Sequence, residues 1–298
     1  MLVRLAGTWL AANAVDASIK RAGDPYAAGE TTFQVTAGTK MLIDAGIRLL
    51  AFCNQMTVRG VRVGLRFEDG TAMGYLDRMG FFDHLAPAVL VEPDRPAVSG
   101  ATVFGGNNSG LVEICAIRPG LDTHELIYKL NETIRATCGG RPDFPQFEEA
   151  MSTILSELVG NVFLHGGEGA TGHAAFQSYP SSNKARVVVS DDGRGLMQTI
   201  RPALHGRNPA YGDVRDVDLL VEMFRDGLSW FDDPGHGNGL KGCATKAIRY
   251  RAKLDVRLRT QAVRLVPSGD AYLPSTAVLS TDLAEIDGTH IAFELSLV

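Results

Sequence analysis

The 298-residue chain predicts a mixed α/β protein, with a small α/β module ahead of a two-layer α/β sandwich whose sheet is mixed and mainly antiparallel. Three observations carry that class. Strand and helix patterns alternate within the first hundred residues. A turn-rich, charge-poor segment, Val98-Ser-Gly-Ala-Thr-Val-Phe-Gly-Gly-Asn-Asn-Ser-Gly110, follows Pro93 and Pro96 and reads as a linker. Beyond it, helical periodicity comes first and alternating strands close the chain. The expected division is a module at 1–97, a linker at 98–110 and a second domain at 111–298.

Composition narrows the function classes. At 45% hydrophobic and 21% charged, the chain is outside the range of wholesale disorder. No apolar run reaches the roughly 18 residues that span a bilayer, so no membrane association is expected. A formal net charge of −5 gives no global basic bias, and nucleic acid is not indicated. Cys53, Cys115, Cys138 and Cys243 stand apart, with no Cys-x-x-Cys pair. Buried free thiols in a reducing, cytoplasmic setting are expected rather than a zinc site or disulfide framework. Ala12-Asn13-Ala14 loosely imitates a signal-peptidase site, but Gly7 and Thr8 break the apolar stretch before it, so the segment reads as entering the fold.

In chain order, Thr32–Thr36 reads as a strand. Residues 39–58 carry Met41, Leu42, Ala45, Leu49, Phe52, Cys53 and Met56 at helical spacing, with Gly60 as the stop. Val61–Phe67 alternates apolar and polar and reads as a half-buried strand. Ala72–Met79 is a second helix. After the linker come a strand at Leu111–Ile117, helices at Leu121–Thr137 and Phe147–Leu164, and a hairpin of Gly172–Tyr179 with Ala185–Ser190. A loop-rich stretch with a helical piece near Val217–Phe224 precedes a helix from Leu240 to Tyr250. Strands at Leu254–Thr260, Thr276–Thr281 and His290–Leu297 finish the fold.

Three segments carry candidate chemistry. Glu157, Asn161 and His165 are each four residues apart, which stacks them on one helix face. An amphipathic helix also shows a solvated polar stripe, but a mid-helix asparagine has poor propensity and argues for a role of its side chain. In Val187-Val-Val-Ser-Asp191-Asp-Gly193-Arg-Gly195-Leu196 an apolar strand ends at a carboxylate and turns through two glycines, which permit positive φ and close backbone approach. Gly235-His-Gly237-Asn238-Gly239-Leu240 opens a helix and offers backbone N–H groups to a phosphate.

Taken together, order and spacing resemble the histidine-kinase-like ATPases, the Bergerat-fold superfamily of gyrase, sensor kinases and the mismatch-repair ATPase. Glu157-x-x-x-Asn161 is similar to the N box, Asp191-x-Gly193-x-Gly195 to the first glycine box and Gly235-x-Gly237-x-Gly239-Leu240 to the second. Gly288-Thr289 is similar to the late Gly-Thr. The resemblance implies ATP and Mg²⁺ as the bound pair, with Asn161 as the metal ligand and Asp191 accepting from the adenine amino group. It implies that Gly193, Gly195 and Leu196 pass beneath the nucleotide, that Thr289 lies near the base, and that Gly235, Gly237, Asn238, Gly239 and Leu240 form a phosphate-cradling lid. Glu157 would activate the attacking water or hydroxyl. His165 would reach phosphate or serve as an ordinary helix-end histidine. The second box departs from the common form in Asn238 and Lys241. The 39 residues from Leu196 to Pro234 are long enough for a mobile lid, and Arg194, Arg201, Arg207 and Arg215 within it are candidates for phosphate contact or solvated charges.

The fold serves several chemistries. His124-Glu125-Leu126 lacks the following Arg-Thr-Pro of a sensor-kinase phosphoacceptor and reads as helix surface. Residues 30–90 resemble a degenerate STAS module, the anti-anti-sigma fold, with Tyr75-Leu-Asp-Arg-Met-Gly-Phe-Phe82 as the shared segment. Thr36 and Thr39 stand near the usual phosphoacceptor place, without its Asp-Ser-Ser-Gly pattern. The expectation is an anti-sigma-like serine/threonine kinase or partner-switching regulator, with a sigma-factor-like or anti-anti-sigma-like protein partner and a homodimeric state. The alternatives are an ATP-gated dimerising module with slow hydrolysis, and a chain that binds no nucleotide.

Overall fold

The computed structural model describes residues 1–167, 169–226 and 238–298, and for Asn238 the main chain alone. The first module runs β1 (Leu2–Leu5), α1 (Ala12–Ala22), β2 (Glu30–Val35), α2 (Ile43–Val58), β3 (Arg62–Phe67), α3 (Gly70–Arg78), α4 (Phe81–His84) and β4 (Leu90–Glu92). Its four strands form a parallel sheet in the order β1-β2-β3-β4. Parallel sheets are ordinarily covered on both faces, yet this one alternates. Val3, Leu5, Phe33, Val35, Val63, Leu65 and Phe67 are buried, while Arg4, Glu30, Arg62, Arg66 and Glu92 point to water. Cross-strand ion pairs Arg62–Glu30 and Arg66–Glu92 line the open face at 2.9 and 2.6 Å. That open face is why the strand at 61–67 shows a clean period of two.

The remainder runs α5 (Gly100–Phe104), β5 (Leu111–Ile117), α6 (Thr123–Cys138), α7 (Phe144–Gly166), β6 (Gly172–Tyr179), β7 (Lys184–Asp191), α8 (Leu196–Arg207), α9 (Asp216–Asp226), α10 (Asn238–Arg249), β8 (Lys253–Arg257), β9 (Ala262–Leu265), β10 (Val278–Ser280) and β11 (His290–Ser296). Its seven strands are ordered β10-β9-β8-β11-β7-β6-β5. Every pairing is antiparallel, where a mixed sheet was expected. On one face, Phe176, Val187, Val189 and Phe293 share a core with α6, α7, α8, α9 and α10. On the other, Ala175, Val188 and Ala292 share a core with α1 and α2. Both faces are covered, so Val187-Val188-Val189 is apolar throughout.

Four layers result, in the order parallel sheet, α1 with α2, antiparallel sheet, helices. Nearly all of the 16-residue α2 is buried, its charged Asp44 and Arg48 included. These charges are paired across the layers. Arg48 meets Asp16 at 2.6 Å and Arg257 meets the same carboxylate at 3.3 Å. Arg186 bridges Asp44 at 2.6 Å and Glu294 at 2.8 Å. The segment Tyr75–Met79 is a docking strip: Tyr75 donates to Gln177 at 2.6 Å, Arg78 to Glu113 at 2.8 Å, and Met79 O accepts from Ile114 N at 2.9 Å.

Several sequence expectations change. Residues 98–110 are pinned in place, since Ser99 caps α5 and Gly100 N donates to Asp77 at 3.0 Å. Leu196–Asp226 is no lid: α8 and α9 bury Ile200, Leu204, Leu219, Leu220 and Met223 in the core. Pro202 and Gly206 inside α8 hide its periodicity from the sequence. Strand β9, four residues long, is too short to declare itself. Thr39 is buried and hydrogen-bonded to Thr36, and the adjacent amides of Ala37 and Gly38 are held by Glu68 and Asp69. A phosphoryl group there would meet two carboxylates, so the structure opposes Thr36 and Thr39 as phosphoacceptors. Among the described residues no helix is long and apolar enough to cross a membrane.

Arg186→Leu should leave the buried Asp44 without its cation, while Glu294 keeps Lys184 and Lys253. Breaking a buried pair costs about 3–5 kcal/mol, and urea unfolding of the variant should show a loss of that order.

Candidate functional site

The site lies where α7 crosses the ends of β7 and β11. Helix α7 begins with proline in its first turn and ends at Gly167, φ 93°. Its apolar stripe of Ile154, Leu155, Leu158 and Val162 is buried on the sheet, which turns Asn161 and His165 toward the strand ends. There Asn161, His165, Asp191, Leu196, Leu240 and Thr289 border one hollow, with Leu158, Val162, Val189 and Ile291 as its apolar wall. Residues far apart in sequence converge on it.

Asp191 is 6% exposed. Its Oδ1 accepts from Gly193 N at 2.9 Å and its Oδ2 from Thr289 N at 3.0 Å. The Thr289 hydroxyl accepts from Leu196 N at 2.8 Å, so one threonine fixes both the carboxylate and the start of α8. Burial pushes the Asp191 carboxyl up to about 7, against the pull of these two amides. The glycines of this turn are needed for backbone packing. A Cβ on Gly193 would overlap the main chain of Gly166, and one on Gly288, φ 88°, would overlap the Asp191 carbonyl. Gly195, φ 83°, lies against Gly288 O. Gly166, unremarked in the sequence, is thus half of the contact that shapes the first glycine box.

His165 is 5% exposed, and burial lowers it to about 4, so it is neutral near pH 7. Its Nδ1 lies 2.9 Å from Thr199 Oγ1. The Thr199 hydroxyl proton is engaged by Leu196 O at 2.8 Å, so Nδ1–H is the donor and Nε2 is left as an acceptor. It supplies no positive charge to a phosphate. Two of the four candidate arginines are engaged elsewhere, Arg201 with Asp216 and two carbonyls and Arg215 with Asp218. Thr199 is a site residue that no local pattern announces.

The amide of Asn161 has a buried Nδ2 with no hydrogen-bond partner. An unpaired buried amide costs about 1–3 kcal/mol, which a ligand atom entering the hollow would recover. Turned about Cγ, it presents oxygen to a hard cation. Among the described residues no group of three His, Cys, Asp or Glu could hold a metal by itself. A single amide oxygen there is one hard donor of the kind Mg²⁺ takes together with phosphate and water.

Glu157, one turn earlier, leans on the first turn of α10. A Cβ on Gly239 would overlap its carboxylate, which sits by the positive end of that helix. Leu240, the next residue, is buried and roofs the hollow. The space remaining is about 20 Å³, room for a water molecule and far below the ~300 Å³ at which ligand pockets begin. As bounded by the described residues, the hollow takes a larger ligand only if the start of α10 moves. Gly235 and Gly237, with the side chain of Asn238, lie outside the described residues. No family model, curated protein or solved structure matches the chain.

Two outcomes are expected. Gly288→Ala combines a left-handed backbone with overlap of a carbonyl, at about 2–5 kcal/mol, read as a fall in thermal midpoint. For Asp191, the folded form holds its proton above the ordinary carboxylate range. Stability should therefore fall as pH rises from about 4 to about 7, because the unfolded chain releases that proton first. Denaturant titrations of wild type and Asp191→Asn should show this slope only in wild type.

Proposed function

We propose that residues 111–298 bind Mg-ATP in the manner of the histidine-kinase-like ATPases, and that the protein is an anti-sigma-like serine/threonine kinase or partner-switching regulator. One observation carries this reading: Asn161 on the helix and Asp191 on the sheet border the same hollow, the first with an unpaired amide atom and the second clasped by Gly193 and Thr289. The Asp191 carboxylate accepts from the exocyclic amino group of adenine, and the amides of Gly193 and Thr289 hold it in position. Asn161 supplies one oxygen to the magnesium that accompanies the triphosphate, with phosphate and water completing the shell. Glu157, four residues before Asn161 on the same face, takes the proton of the attacking hydroxyl or water. Positioning and electrostatics do the rest, as in other phosphoryl transfers.

The seat of Glu157 against α10 favours a second reading, an ATP-gated interaction module. A triphosphate entering the hollow displaces the contact between Glu157 and Gly239, so occupancy is coupled to movement of α10 whether or not phosphate is transferred. The protein partner and a homodimer belong to both readings.

Calorimetry with ATP and Mg²⁺ tests the shared premise. Asp191→Asn and Asn161→Ala should each weaken binding by about 10–100-fold, the worth of a hydrogen bond to a charged group; wild type without binding would end the proposal. Glu157→Ala should retain affinity and lose about 10²–10⁴-fold in turnover. Label from γ-labelled ATP appearing on serine or threonine of a co-purifying protein supports the kinase. A nucleotide-dependent mass shift without label supports the gated module.

A further inference from the structure

The turn that presents Thr289 to Asp191 is held from outside its own domain. Gln55 on α2 is 8% exposed. Its Nε2 donates to Asp287 O at 3.0 Å and its Oε1 accepts from Asp287 N at 2.7 Å. A single carboxamide thus satisfies both main-chain groups of one residue, as a neighbouring strand would. Four residues on, at the C-cap of α2, Arg59 pairs with Glu285 at 3.2 Å and Asp287 at 2.5 Å. These last pairs are partly exposed and contribute little; the carboxamide clasp is the buried tie. A cleft with room for about 170 Å³ separates Ala51, Val58 and Arg59 from Ser190, Asp191 and Asp192, so α2 reaches the back of the site chiefly through this tie.

Beyond Asp287 the chain has little freedom. Gly288 packs on the Asp191 carbonyl. Thr289 N then donates to Asp191 Oδ2, and Asp191 N donates back to Thr289 O at 3.1 Å. Position and direction at residue 287 therefore set the direction of the amide that holds the carboxylate two residues later. The geometry points to Gln55 as a positioning residue for the Asp191–Thr289 pair, through which the N-terminal module sets recognition of the nucleotide base. This rests on the nucleotide reading given above, and adds that selectivity for adenine over guanine depends on a residue that does not border the hollow.

The test uses the full chain in three forms: wild type, Gln55→Ala and Thr57→Ala, the last on the same helix but bonded only to Cys53 O. Hydrogen–deuterium exchange of the free proteins should show residues 285–291 exchanging at least tenfold faster in Gln55→Ala, with β2 and β3 unchanged. Calorimetry with Mg-ATP and Mg-GTP should show about tenfold weaker ATP binding and an ATP-to-GTP preference reduced toward unity. Thr57→Ala should match wild type in both. Should Gln55→Ala fail to fold, Gln55→Glu keeps the acceptor for Asp287 N but sets an oxygen against Asp287 O, and should move both readouts in the same direction. A wild type that prefers ATP alongside a Gln55 variant that prefers it equally, or exchange at 285–291 unchanged by the variant, overturns the Gln55 assignment alone. A wild type that binds neither nucleotide sinks the nucleotide reading and the selectivity role with it.

Discussion

Helix α2 has almost no water-facing side, and the architecture follows from that constraint. A helix packed between two sheets must be apolar all round or have every polar group matched. The chain takes the second course. Asp44 and Arg48 are matched by Arg186 of β7 and Asp16 of α1, and Gln55 by the main chain at Asp287. One match joins α2 to its layer-mate α1, and the other two join it to the antiparallel sheet and the turn before β11. The helix layer and the antiparallel sheet are thereby fixed in one register, and the two parts of the chain cannot behave as beads on a linker.

The same economy shapes the candidate site. Its walls are built by main chain lying on main chain: Gly193 on Gly166, Gly195 on Gly288 and Gly288 on Asp191. Glycines that a motif reading assigns to ligand approach are required before any ligand arrives, because no Cβ fits. What is left for a ligand is narrower: one carboxylate with its charge raised in cost by burial, one amide with an unused atom, and a roof formed by Leu240.

Legibility in the sequence followed the local physics of each element. The strand at 61–67 was readable because one face of its sheet is wet, and the hairpin at 172–191 because two apolar runs flank a turn. Spacing placed Glu157, Asn161 and His165 on one face, but only the family resemblance set Asp191 and Thr289 opposite them. Helix α8 was hidden by Pro202 and Gly206, and with it the packing of the first part of the expected lid. The tautomer of His165 is set by Thr199, a partner that periodicity cannot announce. Gln55 was invisible for a plainer reason: its partner is backbone, which has no letter. The one available hint was Asp44 and Arg48 set among apolar neighbours in α2, a sign that the helix is enclosed by more than its own module.

Strand β5 ends the seven-stranded sheet on one side, and its pairing shifts register between Val112 and Cys115. At that irregularity Ile114 turns outward, giving its N–H to Met79 O at 2.9 Å and taking His84 Nε2 on its carbonyl at 2.8 Å. The hydrogen-bonding groups that a terminal strand would extend to another chain are consumed there within the molecule. The opposite border is β10, three residues long and exposed. Among the described residues, strand addition to this sheet would meet an occupied border at Ile114 and an open one at β10.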